Sequence, residues 1–209
     1  YLGLMAEKAT ETDAINQGWA ASSGEILAWL NSDDFYLPGA LAQAGRYFYE
    51  HPEVDWLYGD CVLVNSNGQE IGRYPAQKFD YLTLVRDTHN YIPQPAVFIR
   101  RRVFDDLGPL DEGMHFVMDF DYWLRAGLRH PADYLAAPLA ALRLHDAAKS
   151  VAQLARFARE LVAAYRRYFA DPSALPAEIR AVKRLAMSNI YLRGADCAFW
   201  GGSLAEARG

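Results

Sequence analysis

The chain has 209 residues, 52% of them hydrophobic and 22% charged, with a net charge of -5. That supports one domain with a sizeable core plus a small appendage, and the acidic balance excludes a general nucleic-acid binder. Its two cysteines, Cys61 and Cys197, lie far apart without metal-type spacing, which excludes a disulfide framework and predicts a reduced, cytoplasmic setting. No apolar run reaches the length of a membrane span, and no signal peptide is visible. The chain begins at Tyr1 in mid-pattern and stops at Gly209 just after a helical stretch, as expected of a fragment.

Residues 13–23 predict a helix with Ala14, Ile15, Gly18, Trp19 and Ala20 on one face, capped by Thr12 or Asp13 and ended by Gly24. Ile26 to Leu30 predicts a buried strand that runs into Asn31-Ser32-Asp33-Asp34. Leu37-Pro38-Gly39 opens a helix to about Tyr49 with Leu41, Ala44 and Phe48 on one side, and His51-Pro52 stops it. Trp56 to Val64 reads as one strand or two joined ones. Asn65-Ser66-Asn67-Gly68 is a hairpin turn, and Ile71 to Tyr74 returns. A short helix is expected at 79–86, and Pro93 and Pro95 hold the next segment extended before a strand at Ala96 to Ile99. Arg100-Arg101-Arg102 begins a short helix ending at Gly108, followed by an acidic loop at 111–115 and a helix from Phe120 to Leu128. Strands are expected around Pro138. Beyond Ser150 the pattern turns helical: Leu154, Ala158, Leu161, Tyr165 and Tyr168 keep a helical period over 151–168, a second helix covers about 176–192, and another begins near Gly194. The organisation predicted is a mixed α/β domain over 1–148 and a helical C-terminal extension over 149–209.

Three constellations carry chemistry. The adjacent carboxylates Asp33 and Asp34 sit at a predicted strand tip, where open α/β sheets bind ligands. Two carboxylates there repel unless a cation or ligand dipole compensates, and Mg²⁺ or Mn²⁺ suits such oxygens. The plainer alternative is that they cap the helix after Pro38. In Met118-Asp119-Phe120-Asp121, Asp119 can serve as a general base or merely as an N-cap, and Asp121 pairs with Arg125 at helical spacing or caps a helix. His145, in Arg143-Leu144-His145, can complete a metal's coordination or stand as a surface histidine. Arg156, Arg159, Arg166 and Arg167 give the long helix a basic side that either rests on an anionic membrane or is solvated while the apolar stripe packs.

In that order, Asp13-Ala14-Ile15-Asn16, Trp29-Leu30-Asn31-Ser32-Asp33-Asp34, Tyr58-Gly59-Asp60, Gln94-Pro95-Ala96, Gly108-Pro109-Leu110-Asp111, Met118-Asp119-Phe120-Asp121 and Arg143-Leu144-His145 resemble a family 2 glycosyltransferase with a GT-A fold, of the bacterial polysaccharide type. The resemblance covers roughly residues 10–150. It implies a metal-dependent, inverting transfer of one sugar from a nucleotide-sugar donor to a hydroxyl of a glycan or lipid-linked acceptor, at the inner face of the plasma membrane. It implies a DxD-like motif in which Asp33 holds Mn²⁺ or Mg²⁺ with His145, while Asn31, Ser32 and Asp34 face the donor. Asp119 matches the base; Asp60 and Gln94 fall at donor-sugar or acceptor contacts, and Asp13 and Asn16 near the nucleotide. The family's first strand, its helix and the strand with a base-contacting Asp have no counterpart in residues 1–12, so a partial domain is expected. Two other classes stay open: a non-catalytic binding or scaffold domain, and a metal-dependent nucleotidyltransferase.

Overall fold

The computed structural model describes residues 10–144 and 154–200, and its contacts divide into two compact units. The first holds the described residues of Tyr1–Phe79, Asn90–Leu110 and Ala126–His145; the second holds those of Asp80–His89, Asp111–Arg125 and Asp146–Gly209. Two internal segments, Asp80–His89 and Asp111–Arg125, thus group with the residues after Asp146.

The first unit is built on a mixed sheet in the order β1-β5-β3-β6-β2, with β4 on the far half of β3. Its strands are β1 (Ile26–Leu27), β2 (Phe35–Tyr36), β3 (Trp56–Val64), β4 (Glu70–Arg73), β5 (Val97–Arg100) and β6 (Ala132–Arg143). Only the β3–β6 pair is parallel. Helices α1 (Glu11–Ala21) and α2 (Ala40–Glu50) belong to it. The α1 helix starts earlier than expected, because Thr10 and Asp13 close a reciprocal capping box. The helix after Pro38 starts at Ala40 behind Gly39 at φ 82, with no side-chain cap, so Asp33 and Asp34 do not cap it. Its buried stripe is Ala40, Ala44 and Phe48, against Leu57, Cys61 and Leu139; Leu41, expected on that face, is exposed.

The expected pair of strands around Pro138 is one strand with a break in register. Between Gly59 and Cys61 the pairing jumps from Leu135 to Pro138 and then to Ala140. Proline has no N–H for the ladder, and a bulge absorbs the deficit. The bulge presses on β3: a Cβ on Gly59 would lie 2.5 Å from Leu139 Cδ1 and 2.7 Å from the Ala137 carbonyl oxygen. At β5, buried Arg100 donates to the Val54 and Phe48 carbonyls at 2.8 and 2.7 Å and lies over the Phe48 ring, closing the C-terminal end of α2. The ring nitrogens of His130 meet Asp55 at 2.7 Å and Asp106 at 2.9 Å, and Arg102 also pairs with Asp55. Burial alone would raise the Asp55 carboxyl; the His130 and Arg102 bonds outweigh it and hold it below the usual range.

The second unit comprises α3 (Tyr81–Asp87), the 111–117 segment, the first turns of α5 (Met118–Arg129), α6 (Leu154–Tyr168) and α7 (Ala177–Trp200); α4 (Arg101–Leu107) lies in the first. The tail expected as two helices after 176 is the single helix α7. Gly194 does not break it: a Cβ there would come 3.1 Å from Val162 Cγ2, so glycine lets α6 and α7 approach. The α6 stripe buries Ala158, Leu161, Ala164 and Tyr165, and the Tyr165 hydroxyl reaches the Leu84 and Val85 carbonyls at 3.2 and 3.1 Å. On the basic side, Arg166 bonds the Tyr191 hydroxyl at 3.0 Å, and Arg167 pairs with Asp111 and Asp121. Residues 145–153 and 201–209 lie outside the described residues, including the expected start of the long helix.

Candidate active site

In the first unit, the apolar run expected as a strand through Leu30 ends its ladder at Leu27. Its partner β5 begins only at Val97, after a 3₁₀ turn over Gln94–Ala96 that contains Pro95. The Gln94 side chain takes over there, its Nε2 donating to the Trp29 carbonyl at 2.9 Å. The chain then turns at Ser32 and Asp33, with the Asp34 N–H on the Asn31 carbonyl at 3.1 Å, and enters β2. The carboxylates thus stand in a turn between two short strands rather than at one strand's tip. Ser32 and Asp33 are exposed, Asn31 is half-buried, and Asp34 is only 8% exposed.

Asp34 is half-satisfied. Its Oδ1 accepts the Arg143 N–H at 2.9 Å, and its buried Oδ2 has no partner among the described residues. Burial pushes its carboxyl up to about 6; the Arg143 N–H opposes that and the neighbouring Asp33 charge adds to it. Arg143 grips the same turn with its side chain, donating from Nε to the Asp33 carbonyl at 3.1 Å and from Nη1 to the Asn65 and Ser66 carbonyls at 3.0 and 2.9 Å. Sequence reasoning missed this arginine; the available signal was its place at the end of an apolar strand, two residues before His145.

The other first-unit candidates are placed as follows. The Asp60 carboxylate, half-buried beside the β6 bulge, accepts the Tyr134 hydroxyl, whose own ionisation burial and Asp60 push up to about 12. Cys61, fully buried on the next position, is also pushed up to about 12 by burial and by the Asp34 charge, which leaves it an unreactive thiol. Asn16 is buried, and its amide takes both backbone groups of Leu110, donating to the carbonyl and accepting the N–H at 2.9 Å each. Asp13 serves the capping box. These two hold α1 and its neighbour in place.

In the second unit, Asp119 lies in the first turn of α5 rather than at a cap, half-buried, with its Oδ1 on the Phe120 N–H at 2.7 Å. Asp121, 3% exposed, pairs with Arg125 at 3.0 Å as the spacing predicted, and with Arg167 as it did not. His145 lies outside the described residues. Among the described residues, no group of three or more His, Cys, Asp or Glu side chains is arranged to hold a metal ion. What the Asp33–Asp34 turn offers is hard oxygen donors, one of them buried without a partner among the described residues, and that donor set fits a divalent cation. No helix among the described residues is long and apolar enough to cross a membrane.

Residues 7–108, which include the Asp33–Asp34 turn, match the sequence model of Glycosyl transferase family 2. Uncharacterized glycosyltransferase YwdF of Bacillus subtilis (strain 168) is 28% identical over 118 residues, 54% of this chain and 42% of that protein. The PGL/p-HBAD biosynthesis glycosyltransferase of Mycobacterium tuberculosis (strain ATCC 25177 / H37Ra) is 30% identical over 114 residues, 54% of this chain and 42% of that protein. In each case the matched stretch is less than half of the relative. Among solved structures, S. aureus TarS 1-349 in complex with UDP has a TM-score of 0.58 at 15% identity, covering 90% of this chain and 52% of that one. Mannosyltransferase PcManGT from Pyrobaculum calidifontis, in complex with GDP-Man and Mn2+, has a TM-score of 0.60 at 14% identity, covering 94% and 54%. At such identities the likeness is one of fold, and the fold is GT-A. Residues 7–108 of the chain are a glycosyl transferase family 2 sequence.

Proposed function

We propose that the protein carrying this chain is an inverting glycosyltransferase that moves a sugar from a nucleotide-sugar donor to a hydroxyl of a glycan or lipid-linked acceptor in cell-surface polysaccharide synthesis. The family match over 7–108, across the turn that holds the half-satisfied Asp34, carries this reading. Nucleotide or nucleotide-sugar complexes of the fold neighbours support a donor of that class. Asp33 and His145 are the residues that would hold Mn²⁺ or Mg²⁺, with Asp34 next to Asp33 in the chain. When bound, such an ion neutralises the diphosphate leaving group.

The remaining roles fall to the chain itself. Arg143 holds the Asp33 carbonyl and the Asp34 carboxylate, which fixes the backbone of the turn that carries both residues. Asn31 and Ser32 contact the donor, and Asp60 and Gln94 contact the sugar or acceptor. Asp119 removes the acceptor hydroxyl's proton as that oxygen attacks the anomeric carbon. The bond from that carbon to the diphosphate breaks, its electron pair leaves with the nucleoside diphosphate, and no covalent enzyme intermediate forms.

The test is release of nucleoside diphosphate from UDP-glucose, UDP-N-acetylglucosamine and GDP-mannose, each with and without Mn²⁺. One of them is expected to be consumed, and Asp119→Asn is expected to lower turnover by roughly 10²–10⁴-fold. Release of pyrophosphate would make the protein a nucleotidyltransferase instead. Donor binding by calorimetry without any turnover would make it a binding domain.

A further inference from the structure

The helix that follows the sheet domain in sequence makes a specific set of polar contacts with the segment that carries Asp119. Glu160 of α6 accepts two consecutive backbone N–H groups with one oxygen, from His115 at 2.8 Å and Phe116 at 2.7 Å. Two turns on, Arg167 joins the two ends of the same stretch: Nη1 pairs with Asp111 and Nη2 with Asp121 Oδ1 at 2.5 Å. Asp121 is buried and also receives Arg125, whose guanidinium lies 4.8 Å from the Tyr122 ring centre. The Asp111 carboxylate meanwhile accepts the Gly113 N–H at 2.8 Å, so the loop is tied inside as well. All of these residues belong to the second unit.

Packing alone does not call for this. The α6 stripe already buries Ala158, Leu161, Ala164 and Tyr165, and Phe120 meets the Tyr165 ring at 5.9 Å. A buried carboxylate between two guanidiniums is weak evidence of added stability, since desolvation offsets much of the attraction. What it does supply is geometry: a planar fork binding two carboxylates fixes both in direction. Asp119 lies between those anchor points, two residues before Asp121, in the first turn of α5.

We propose that Glu160 and Arg167 are positioning residues, which hold the 111–117 segment and the first turn of α5 so that Asp119 keeps one place and orientation. This rests on the reading of Asp119 as the acceptor's base. It gives the C-terminal helix a part in turnover, through a brace that touches no substrate. A displacement of about 1 Å in a reacting group can lower a rate by roughly 10²-fold, so the brace acts on kcat while leaving donor affinity alone.

The experiment compares Arg167→Ala, Arg167→Lys, Glu160→Ala and Asp119→Asn in the intact protein, using whichever of UDP-glucose, UDP-N-acetylglucosamine and GDP-mannose it consumes. Arg167→Ala is expected to lower kcat ten- to a hundred-fold with donor KM within two-fold, and Arg167→Lys to recover part of the loss. Hydrogen–deuterium exchange is expected to quicken at residues 111–121 in Arg167→Ala and at His115 and Phe116 in Glu160→Ala, with β3 and β6 unchanged. Should Arg167→Ala not fold, Glu160→Ala carries the same test with a smaller loss of kcat. A kcat within two-fold of the parent beside an inactive Asp119→Asn overturns the brace, as does a donor KM that rises together with a global increase in exchange. An Asp119→Asn enzyme that keeps its turnover overturns the base assignment itself, and the two failures are thereby distinguished.

Discussion

Replacing Asp34 by Asn tests whether the half-satisfied carboxylate is held against the interest of stability. In the folded chain burial raises its ionisation from 3.8 to about 6. The charged form is therefore disfavoured by about 3 kcal/mol at neutral pH. Because the folded value lies above the unfolded one, the stability linked to this group is fully present below about pH 4. It is lost as the pH rises through about 6. Asparagine carries no charge, and its oxygen keeps the Arg143 N–H. Its amide nitrogen takes the place of Oδ2, which has no partner among the described residues, at a cost of about 1 kcal/mol. Asp34→Asn is thus expected to be about 2 kcal/mol more stable than the parent at about pH 7.5, and level with it or slightly weaker at about pH 4. Urea denaturation followed by tryptophan fluorescence across that range reads the difference directly. A variant less stable at neutral pH, or one whose advantage is the same at both ends of the range, would refute the reasoning. A gain in stability accompanied by loss of donor turnover would mark Asp34 as retained for binding.

Three further expectations concern the framework around the site. Asn16→Ala removes both partners of the Leu110 backbone and leaves a buried N–H and C=O unmet, so a loss of about 2–4 kcal/mol is expected in urea denaturation. Gly59→Ala drives a methyl group into Leu139 and the Ala137 carbonyl; a backbone oxygen cannot rotate away, so at least about 1–3 kcal/mol is lost, read as a fall in melting temperature with near-ultraviolet circular dichroism altered. For Asp55 the sign is opposite to that of Asp34: its folded value is depressed, so its contribution is present above about pH 4 and lost as the pH falls below that. Asp55→Asn is expected to destabilise at neutral pH by about 1–2 kcal/mol, with the difference from the parent closing under acid titration; a gap that persists at about pH 2 would contradict the assignment.

Much of the outline was legible in the chain because it depends on local chemistry. The Asn65–Gly68 turn, the helix ending at Gly108 and the Asp121–Arg125 pair all follow from residues adjacent in sequence or one helical turn apart, and the family resemblance follows from short motifs in a fixed order. Where local reading failed, a distant partner was the reason. Ile26 to Leu30 has strand composition throughout, yet only Ile26 and Leu27 form a ladder, with Arg100 and Ile99, and the run beyond them is held by the Gln94 side chain on the Trp29 carbonyl. Pro138 suggested two strands; a bulge in the β3–β6 ladder accommodates the N–H that proline lacks, and it brings Leu139 and the Ala137 carbonyl so close to Gly59 that no side chain fits there.

The candidate site divides along the same line. Composition and order alone set out the adjacent carboxylates, the Asp119 motif and the class of chemistry they serve, since an acidic pair calls for compensation whatever the fold. Only the tertiary structure could show that Arg143, far along the chain, grips the Asp33–Asp34 turn with both its backbone and its side chain. Likewise, nothing in the pattern of a basic amphipathic helix reveals that Arg167 binds Asp111 and Asp121 instead of facing solvent. Periodicity encodes which face of a helix is buried; which charge meets which is decided by the contacts between elements far apart in sequence, and a buried carboxylate accepts only the partners those contacts deliver.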